Sequence, residues 1–387
     1  MPPVIHIAGT NGKGSTTAFL RALAGAHGLR VHIDTSPHLI RVNERIRVAG
    51  ELISDDALRR HIDTVLEAND GEPLSFFEGM TIASFLAFTE TEADLTLVEV
   101  GLGGRFDSTN VFAAPKVSVI TPIAFDHKEF LGSHLCQIAW EKAGIIKPGC
   151  PVVSASQTSD IARTLRAEAS YRDAPISFLS EKADLTVSEG SQSIRLPGLE
   201  LNDVELSLSG PHQLQNAALA LLAFQTASIC PISDSAVRMG LANAKWPARL
   251  QTLSDGPVTQ KLDGKKVLLD GGHNPHAAKA IAQALAADAP VTVIVAMLGN
   301  KDARSFLEII APVAERVIAV PMPGDRNGHA PDRLAGIASG LGMSASTAGT
   351  LSDALELASG THSQTVLICG SLYFAGDVLK ANEQVID

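Results

Sequence analysis

Residues 4–8, VIHIA, are apolar almost without a break, and behind the polar GTNGKGSTT the apolar positions Phe19, Leu20, Leu23 and Ala24 recur at the spacing of one helix face. The predicted elements are a buried strand, a glycine turn and a helix from about Ser15. Further along, the pattern predicts a short strand at 31–33, helices at 55–66 and 76–88, and strands at 95–100 and 117–120, the last followed by a polar FDHKEFLG loop. Short β-branched runs separated by helices describe an α/β fold with a mostly parallel sheet covered on both faces. Ligands in such sheets collect at the carboxyl ends of the strands.

Residues 176–209 change character: alternation in ADLTVSEG, QSIRLPGL and DVELSLSG predicts small antiparallel strands. An alanine-rich helix is predicted at 213–224. Pro and Gly then gather in WPARLQTLSDGP, where a domain boundary is predicted, dividing the chain into 1–250 and 251–387. Beyond it, strands at 266–269, 291–296, 316–320 and 364–369 alternate with helices at 276–286, 303–311 and 350–359, a second α/β unit that does not repeat the first.

A length of 387 residues, 45% of them hydrophobic, is enough for two domains, and a net charge of -11 argues against a nucleic-acid-binding face. A local basic funnel for an acidic substrate is compatible with that balance. Cys136, Cys150, Cys230 and Cys369 are scattered with no paired spacing, so neither a disulfide framework nor a structural zinc site is expected, and a reducing cytoplasm is the simplest compartment. Neither a secretion signal nor a membrane span is expected from the apolar runs, which are short and interrupted. With the first strand at residue 4, either the fold begins there or a piece precedes it.

The opening turn carries the candidate chemistry. Backbone N–H groups at a helix start point at an anion, Gly9, Gly12 and Gly14 allow a tight turn, Lys13 reaches outer phosphates, and Ser15 or Thr16 offers a hydroxyl to Mg2+. The stretch departs from the ordinary phosphate-loop pattern, with Ile7 where that pattern has glycine and Gly14 where it has serine or threonine. The plain alternative is a turn that only joins strand to helix. Glu99 ends the strand before Gly101, Gly103 and Gly104, and Asp126 and His127 follow the next strand. If both strand ends flank the loop, Glu99 and His127 converge on what Lys13 and Ser15 hold. Otherwise Glu99 pairs with Arg105 and His127 is a surface residue. LLDGGHNPHAAKA places Asp270, Gly271, Gly272, His273, Asn274 and Pro275 between a strand and a helix, a polar cluster in which His273 alone is a weak signal.

The series HIAGTNGKGST, SPHLIRVNERIRVAGELIS, FFEGMTIASFLAF, LVEVGLGGRFDSTNV, DHKEFLG, IAWEKAGIIKPG, GPHQLQNAALAL, WPARLQ, DGGHNPHAAKAIAQAL, LGNKD and GSLYFAGDV resembles folylpolyglutamate synthase and dihydrofolate synthase, the folate branch of the Mur ligase superfamily, over essentially the whole chain. GKGS and GLGGRFDSTN separate it from the plain Mur ligases. The resemblance implies a mostly parallel ATPase domain of Mur ligase type and a smaller Rossmann-like C-terminal glutamate-binding domain. It implies a cytoplasmic, monomeric ligase that uses ATP and two Mg2+ ions, with K+ as a further candidate, to join L-glutamate to dihydropteroate or a folate through an acyl phosphate.

By the same resemblance Gly9, Thr10, Asn11, Gly12, Lys13, Gly14, Ser15 and Thr16 hold ATP with Asn216, Arg249, Asp270 and His273. Ser15 and Glu99 hold the first Mg2+, and His127 helps hold a second. Lys13, His127, Arg249 and His273 act in catalysis, with Arg249 at the hinge. Ser36, Pro37, His38, Arg45, Phe76, Phe77 and Thr81 lie around the folate, and Phe76 and Phe77 either stack on a flat ring or pack in the core. Members of the family usually carry a further segment before the phosphate loop. Many carry a carbamylated lysine, sought here just after 174–184, where only Lys182 is near and is left unassigned. The competing readings are an amino-acid ligase with a different acyl acceptor and an ATP-binding regulatory protein without catalysis.

Overall fold

The computed structural model describes residues 1–188, 190–324 and 326–384. Contacts divide the chain into two units, one of Met1–Pro37, Val42–Ser207 and Gln213–Trp246, the other of His38–Arg41, Leu208–His212 and the chain from Pro247 onward.

The first unit is built on strands β1 (Val4–Ala8), β2 (Val31–Asp34), β3 (Ile46–Val48), β4 (Glu51–Leu52), β5 (Leu95–Glu99), β6 (Val117–Ile120), β7 (Val152–Ser154) and β8 (Ile176–Phe178). They form one sheet in the order β4-β3-β2-β5-β1-β6-β7-β8, parallel except where β3 meets its two neighbours. β1, β5 and β6 are buried along their whole length, which is why they read as mostly apolar runs. Helix Lys13–Ala26 packs against Gln213–Ala227, while Leu135–Ala143 and Ser159–Tyr171 bring Ile138, Ala139, Ile161 and Leu165 into an apolar cluster with Ile120 and Val152. Helix Phe76–Glu90 begins where Ser75 and Glu78 satisfy each other's backbone N–H groups, at 2.9 and 3.2 Å.

A separate antiparallel sheet holds β9 (Asp184–Ser188), β10 (Ser191–Leu196) and β11 (Leu199–Leu201). Two expectations need correction here. The third strand is Leu199–Leu201 and not DVELSLSG, because Gly198, at φ +75°, turns the chain so tightly that Leu196 and Leu199 pair directly. Ile176–Phe178 belongs to the edge of the large sheet, where β7 supplies its partner.

The second unit has β12 (Gln251–Thr252), β13 (Lys266–Leu269), β14 (Val291–Val295), β15 (Ala314–Ala319), β16 (Ser344–Thr347) and β17 (Thr365–Cys369) in the order β12-β13-β17-β14-β15-β16, parallel apart from β12. Val293, Val295 and Leu367 join one apolar cluster, with Ile281, Phe306 and Leu334 from the helices Pro275–Leu285, Ala303–Ile310 and Pro331–Gly340. Ile294, Ile368 and Val366 join another, with Leu355 and Phe374 from Leu351–Ser359 and Leu372–Ala381. Leu39 and Ile40 pack on this second cluster, and the helix admits them at Gly376, where a Cβ would overlap the Leu39 carbonyl.

Candidate functional site

The register of β1 places the site. Ile7 pairs with Glu99 on β5, and Ala8 pairs with Ile120 on β6. Loop 9–12, the turn after Glu99 and loop 121–127 therefore leave adjacent strand ends on one side of the sheet. Two of them are laced together: Thr10 N and Asn11 N donate to Pro122 O at 3.0 and 3.3 Å, and Ala124 N donates to Thr10 Oγ1 at 3.1 Å. Close approach explains the glycines. A Cβ on Gly9 would overlap the Thr121 side chain, and one on Gly12, which sits at φ +87°, would lie 2.7 Å from Asn216 Oδ1.

Lys13 begins the helix, and its side chain is only 16% exposed. Its Nζ donates to Gly9 O at 3.3 Å and lies 3.8 Å from Glu99 Oε1, a carboxylate 5% exposed. Arg105 is engaged elsewhere, 3.0 Å from Glu168 and 3.8 Å over the Trp140 ring. Ser15 is buried, and its Oγ accepts from Gln213 Nε2 at 3.4 Å, while Gln213 Oε1 accepts from Asn216 Nδ2 at 2.9 Å. Thr16 Oγ1 is buried with no hydrogen-bond partner among the described residues. His127 adopts a left-handed conformation at φ +49°, and its N–H donates to Asp126 Oδ1 at 2.9 Å.

Lys142, on helix Leu135–Ala143, is buried in the same neighbourhood. Burial, and then the charge of Lys13, push its amine down to about 7, against the pull of Asp126, Asp107 and Glu141. Lys182 lies exposed on the short helix Leu179–Lys182.

Among the described residues, no three His, Cys, Asp or Glu side chains come together as a metal cage. Mg2+ does not require one, because it keeps several waters and takes substrate phosphate oxygens beside one or two protein ligands. A buried carboxylate, the Ser15 hydroxyl and the unpartnered Thr16 hydroxyl at a helix start are hard oxygen donors of that kind.

Of the residues expected around the folate, Phe76 is 62% exposed with the Arg45 guanidinium 5.4 Å from its ring centre, and Arg45 itself is buried. Phe77 lies against Gly101, where a Cβ would overlap its ring. Thr81 Oγ1 donates to Phe77 O at 2.9 Å and meets Ser108 Oγ at 3.0 Å, so it shapes the helix rather than presenting a free hydroxyl. Ser36 and Pro37 end a segment of the first unit, whereas His38 belongs to the second. Near Arg45, burial pushes the Asp34 carboxyl well above the usual range, although Ser84 Oγ donates to it at 3.2 Å.

In the second unit, Asp270 leaves the end of β13 buried, accepting from Leu250 N at 2.8 Å and Gly272 N at 2.6 Å. Arg249 stands between Ala248 and Leu250, both left-handed at φ +56° and +46°, and Gly271 N donates to Ala248 O at 3.0 Å. The carboxylate therefore fixes the backbone from which the guanidinium projects. His273 Nδ1 is 2.9 Å from Gly271 O, and Asn274 caps helix Pro275–Leu285 through Ala277 N at 2.9 Å. Asn216, in contrast, belongs to the first unit, against Gly12.

Sequence reasoning missed Lys142, Gln213, Trp246 and His212. Trp246 faces Gly14, where a Cβ would lie 2.5 Å from the ring, and His212 lies near Asp270 and Arg249 with its imidazole held low mainly by burial. Lys142, Gln213 and His212 all stood inside motifs quoted for the resemblance, in IAWEKAGIIKPG and GPHQLQNAALAL.

Family models match along the chain: the Mur ligase middle domain over residues 7–224 and the Mur ligase glutamate ligase domain over residues 249–372. The chain is 35% identical to the dihydrofolate synthase/folylpolyglutamate synthase of Bacillus subtilis, across 97% of this chain and 89% of that protein. Its structure is similar to Mycobacterium tuberculosis folylpolyglutamate synthase complexed with ADP, with a TM-score of 0.89 and 31% identity, covering 100% of this chain and 91% of that one. It is also similar to a bifunctional folylpolyglutamate synthase/dihydrofolate synthase with Mn, AMPPNP and L-glutamate bound, at a TM-score of 0.86 and 31% identity over 98% of this chain and 89% of that one.

Proposed function

The chain belongs to the folylpolyglutamate synthase/dihydrofolate synthase family of Mur ligases, ATP-dependent enzymes that join L-glutamate to dihydropteroate or folates, and we propose that it performs this ligation through an acyl phosphate built over residues 9–16. The carrying observation is the cradle itself: Lys13 beside Glu99, with the buried Ser15 and Thr16 hydroxyls at the start of a helix.

The acceptor carboxylate attacks the γ-phosphorus of ATP and ADP departs. The amine of glutamate then attacks the acyl carbon, phosphate leaves, and the amine gives up a proton. A carboxylate is a poor electrophile, so the first step supplies the leaving group. Lys13 and Arg249 offset the charge gathering on the transferred phosphoryl group, and the N–H groups of the helix start hold the phosphates. Ser15 and Glu99 would hold Mg2+ and His127 would help hold a second ion, and bound metal would neutralise phosphate charge.

Lys142 suits the carbamylated lysine that the resemblance implies. A buried amine with a pKa near 7 is substantially neutral at physiological pH, as addition to CO2 requires. Asn216, Asp270 and His273 complete the nucleotide contacts, and Arg45 and Phe76 receive the acceptor. The expected division at 250/251 falls inside the second unit, which takes the chain from Pro247 onward; the first unit acts as the ATP-binding part and the second as the glutamate-binding part, in a cytoplasmic monomer. No helix among the described residues is long and apolar enough to cross a membrane.

ADP release by the purified protein with L-glutamate tests the reading. Dihydropteroate or tetrahydrofolate should support turnover and a Mur-pathway acceptor should not. Release with the Mur acceptor alone overturns the folate assignment. Lys13→Ala should lower kcat by about 100-fold or more while the far-ultraviolet spectrum is unchanged. An unaltered kcat removes the phosphate-loop role.

A further inference from the structure

A buried histidine lies behind the site without a role in the reaction as described. His6, in the middle of β1, is fully buried, and its Nε2 is 3.0 Å from Thr109 Oγ1, which is equally buried. Thr109 Oγ1 donates to Asp107 Oδ1 at 2.5 Å, and Thr109 N donates to the same oxygen at 3.0 Å. The other carboxylate oxygen, Asp107 Oδ2, accepts from Leu102 N at 2.8 Å. Leu102 lies in the turn that follows Glu99.

Proton counting fixes the direction of this chain. The single Thr109 hydroxyl proton is given to Asp107 Oδ1, so the hydroxyl oxygen accepts from His6. The proton of the imidazole is then on Nε2, and Nδ1 is left bare. Among the described residues that nitrogen has no partner, a cost that an aliphatic side chain in the same strand would not carry. Burial, reinforced by the charge of Lys147, holds the ring neutral, pushing its pKa down to about 3. The ring meets Phe112 edge-on at 5.6 Å, which fixes its plane. The same segment is fastened from the other side: Arg105 N donates to Glu141 O at 2.8 Å, and Asn110 Nδ2 donates to Gly144 O at 3.0 Å, next to Lys142.

We propose that His6 is a positioning residue for the ligase reaction, acting through Thr109 and Asp107 to set the turn after Glu99 and so the place of that carboxylate beside the phosphate loop. The proposal rests on the reading of the loop as a Mg2+-nucleotide site. Its test compares donor-keeping and donor-removing variants: His6→Gln, whose amide reaches as far as Nε2, with His6→Leu, and Thr109→Ser with Thr109→Val.

ADP binding is measured by calorimetry with Mg2+ and with EDTA, and Mg2+ is titrated in the ligase assay. His6→Leu and Thr109→Val should each raise the Mg2+ concentration at half-maximal rate about 10-fold and lose most of the Mg2+-dependent gain in ADP affinity. The glutamate KM should stay within about twofold. His6→Gln and Thr109→Ser should return most of both. Equal impairment of the donor-keeping and donor-removing members of a pair overturns the relay, as does wild-type behaviour in all four. Should His6→Leu fail to fold, the Thr109 pair decides by the same criteria. A wild type that binds Mg2+-ADP yet ligates no glutamate would overturn the proposed function while the binding data still judge the relay.

Discussion

His6 also gives the first unit a signature in acid. Its folded pKa is lowered to about 3 from an ordinary 6.5, so between those values the unfolded chain holds a proton that the native protein does not. Stability contributed this way is complete above about pH 6.5 and is lost as the pH falls toward 3. At pH 5 the loss is about 2 kcal/mol. Urea unfolding of wild type and His6→Gln at pH 7 and pH 5 should show the wild type losing that much more, and parallel losses would mean His6 titrates normally. On the acceptor side, exposure singles out Phe76 over Phe77 as the ring able to stack on a flat substrate. Phe76→Ala should raise the pteroate KM about 10-fold and leave the glutamate KM alone. Phe77→Ala should mainly lower thermal stability, since that ring fills the space over Gly101. Steady-state kinetics beside thermal melts separates the two residues.

Among the elements, the join of β1 to helix Lys13–Ala26 tolerates the least change. Gly12→Ala brings a methyl group against Asn216 at a left-handed φ, so ADP affinity should fall by at least about 10-fold while the far-ultraviolet spectrum holds. Unchanged calorimetric binding would show that the loop adapts. This join was legible in the sequence because a buried strand, glycines and a helical face follow one another without ambiguity. The same holds for β5 and β6, where mostly apolar runs meet polar loops, and therefore for Glu99 and the 121–127 loop. Ser344–Thr347 was not legible: SAST carries no apolar signal, and its strand exists because β15 offers an open edge. Lys142 and Gln213 escaped for a related reason. Gln213 is covered by helix Lys13–Ala26, and Lys142 lies near Lys13, Asp107 and Asp126, neighbours distant in sequence that local periodicity does not register. Helix Leu372–Ala381 was quoted only as a motif, its apolar face being too short to stand alone.

For the whole molecule, connectivity matters as much as the sheets. The chain passes between the two units after Pro37, Arg41, Ser207, His212 and Trp246. Leu39 and Ile40 thereby belong to a core whose other members come mostly from beyond Pro247. Leu39→Ala should cost about 1–3 kcal/mol, felt as faster hydrogen exchange in helix Leu372–Ala381 and not in Lys13–Ala26. Exchange that rises equally in both would deny the packing. A ribosome meets this arrangement in an awkward order. Leu39 and Ile40 emerge early, and their partner Phe374 emerges near the end, about tens of seconds later at ~5–20 residues per second. During that wait the nascent chain presents Leu39 and Ile40, just before Arg41, with nowhere to dock. Stalled nascent chains should be cut by trypsin at Arg41 until the last helix is released, so slowed translation should cost this protein more yield than a chain whose units are made one after the other.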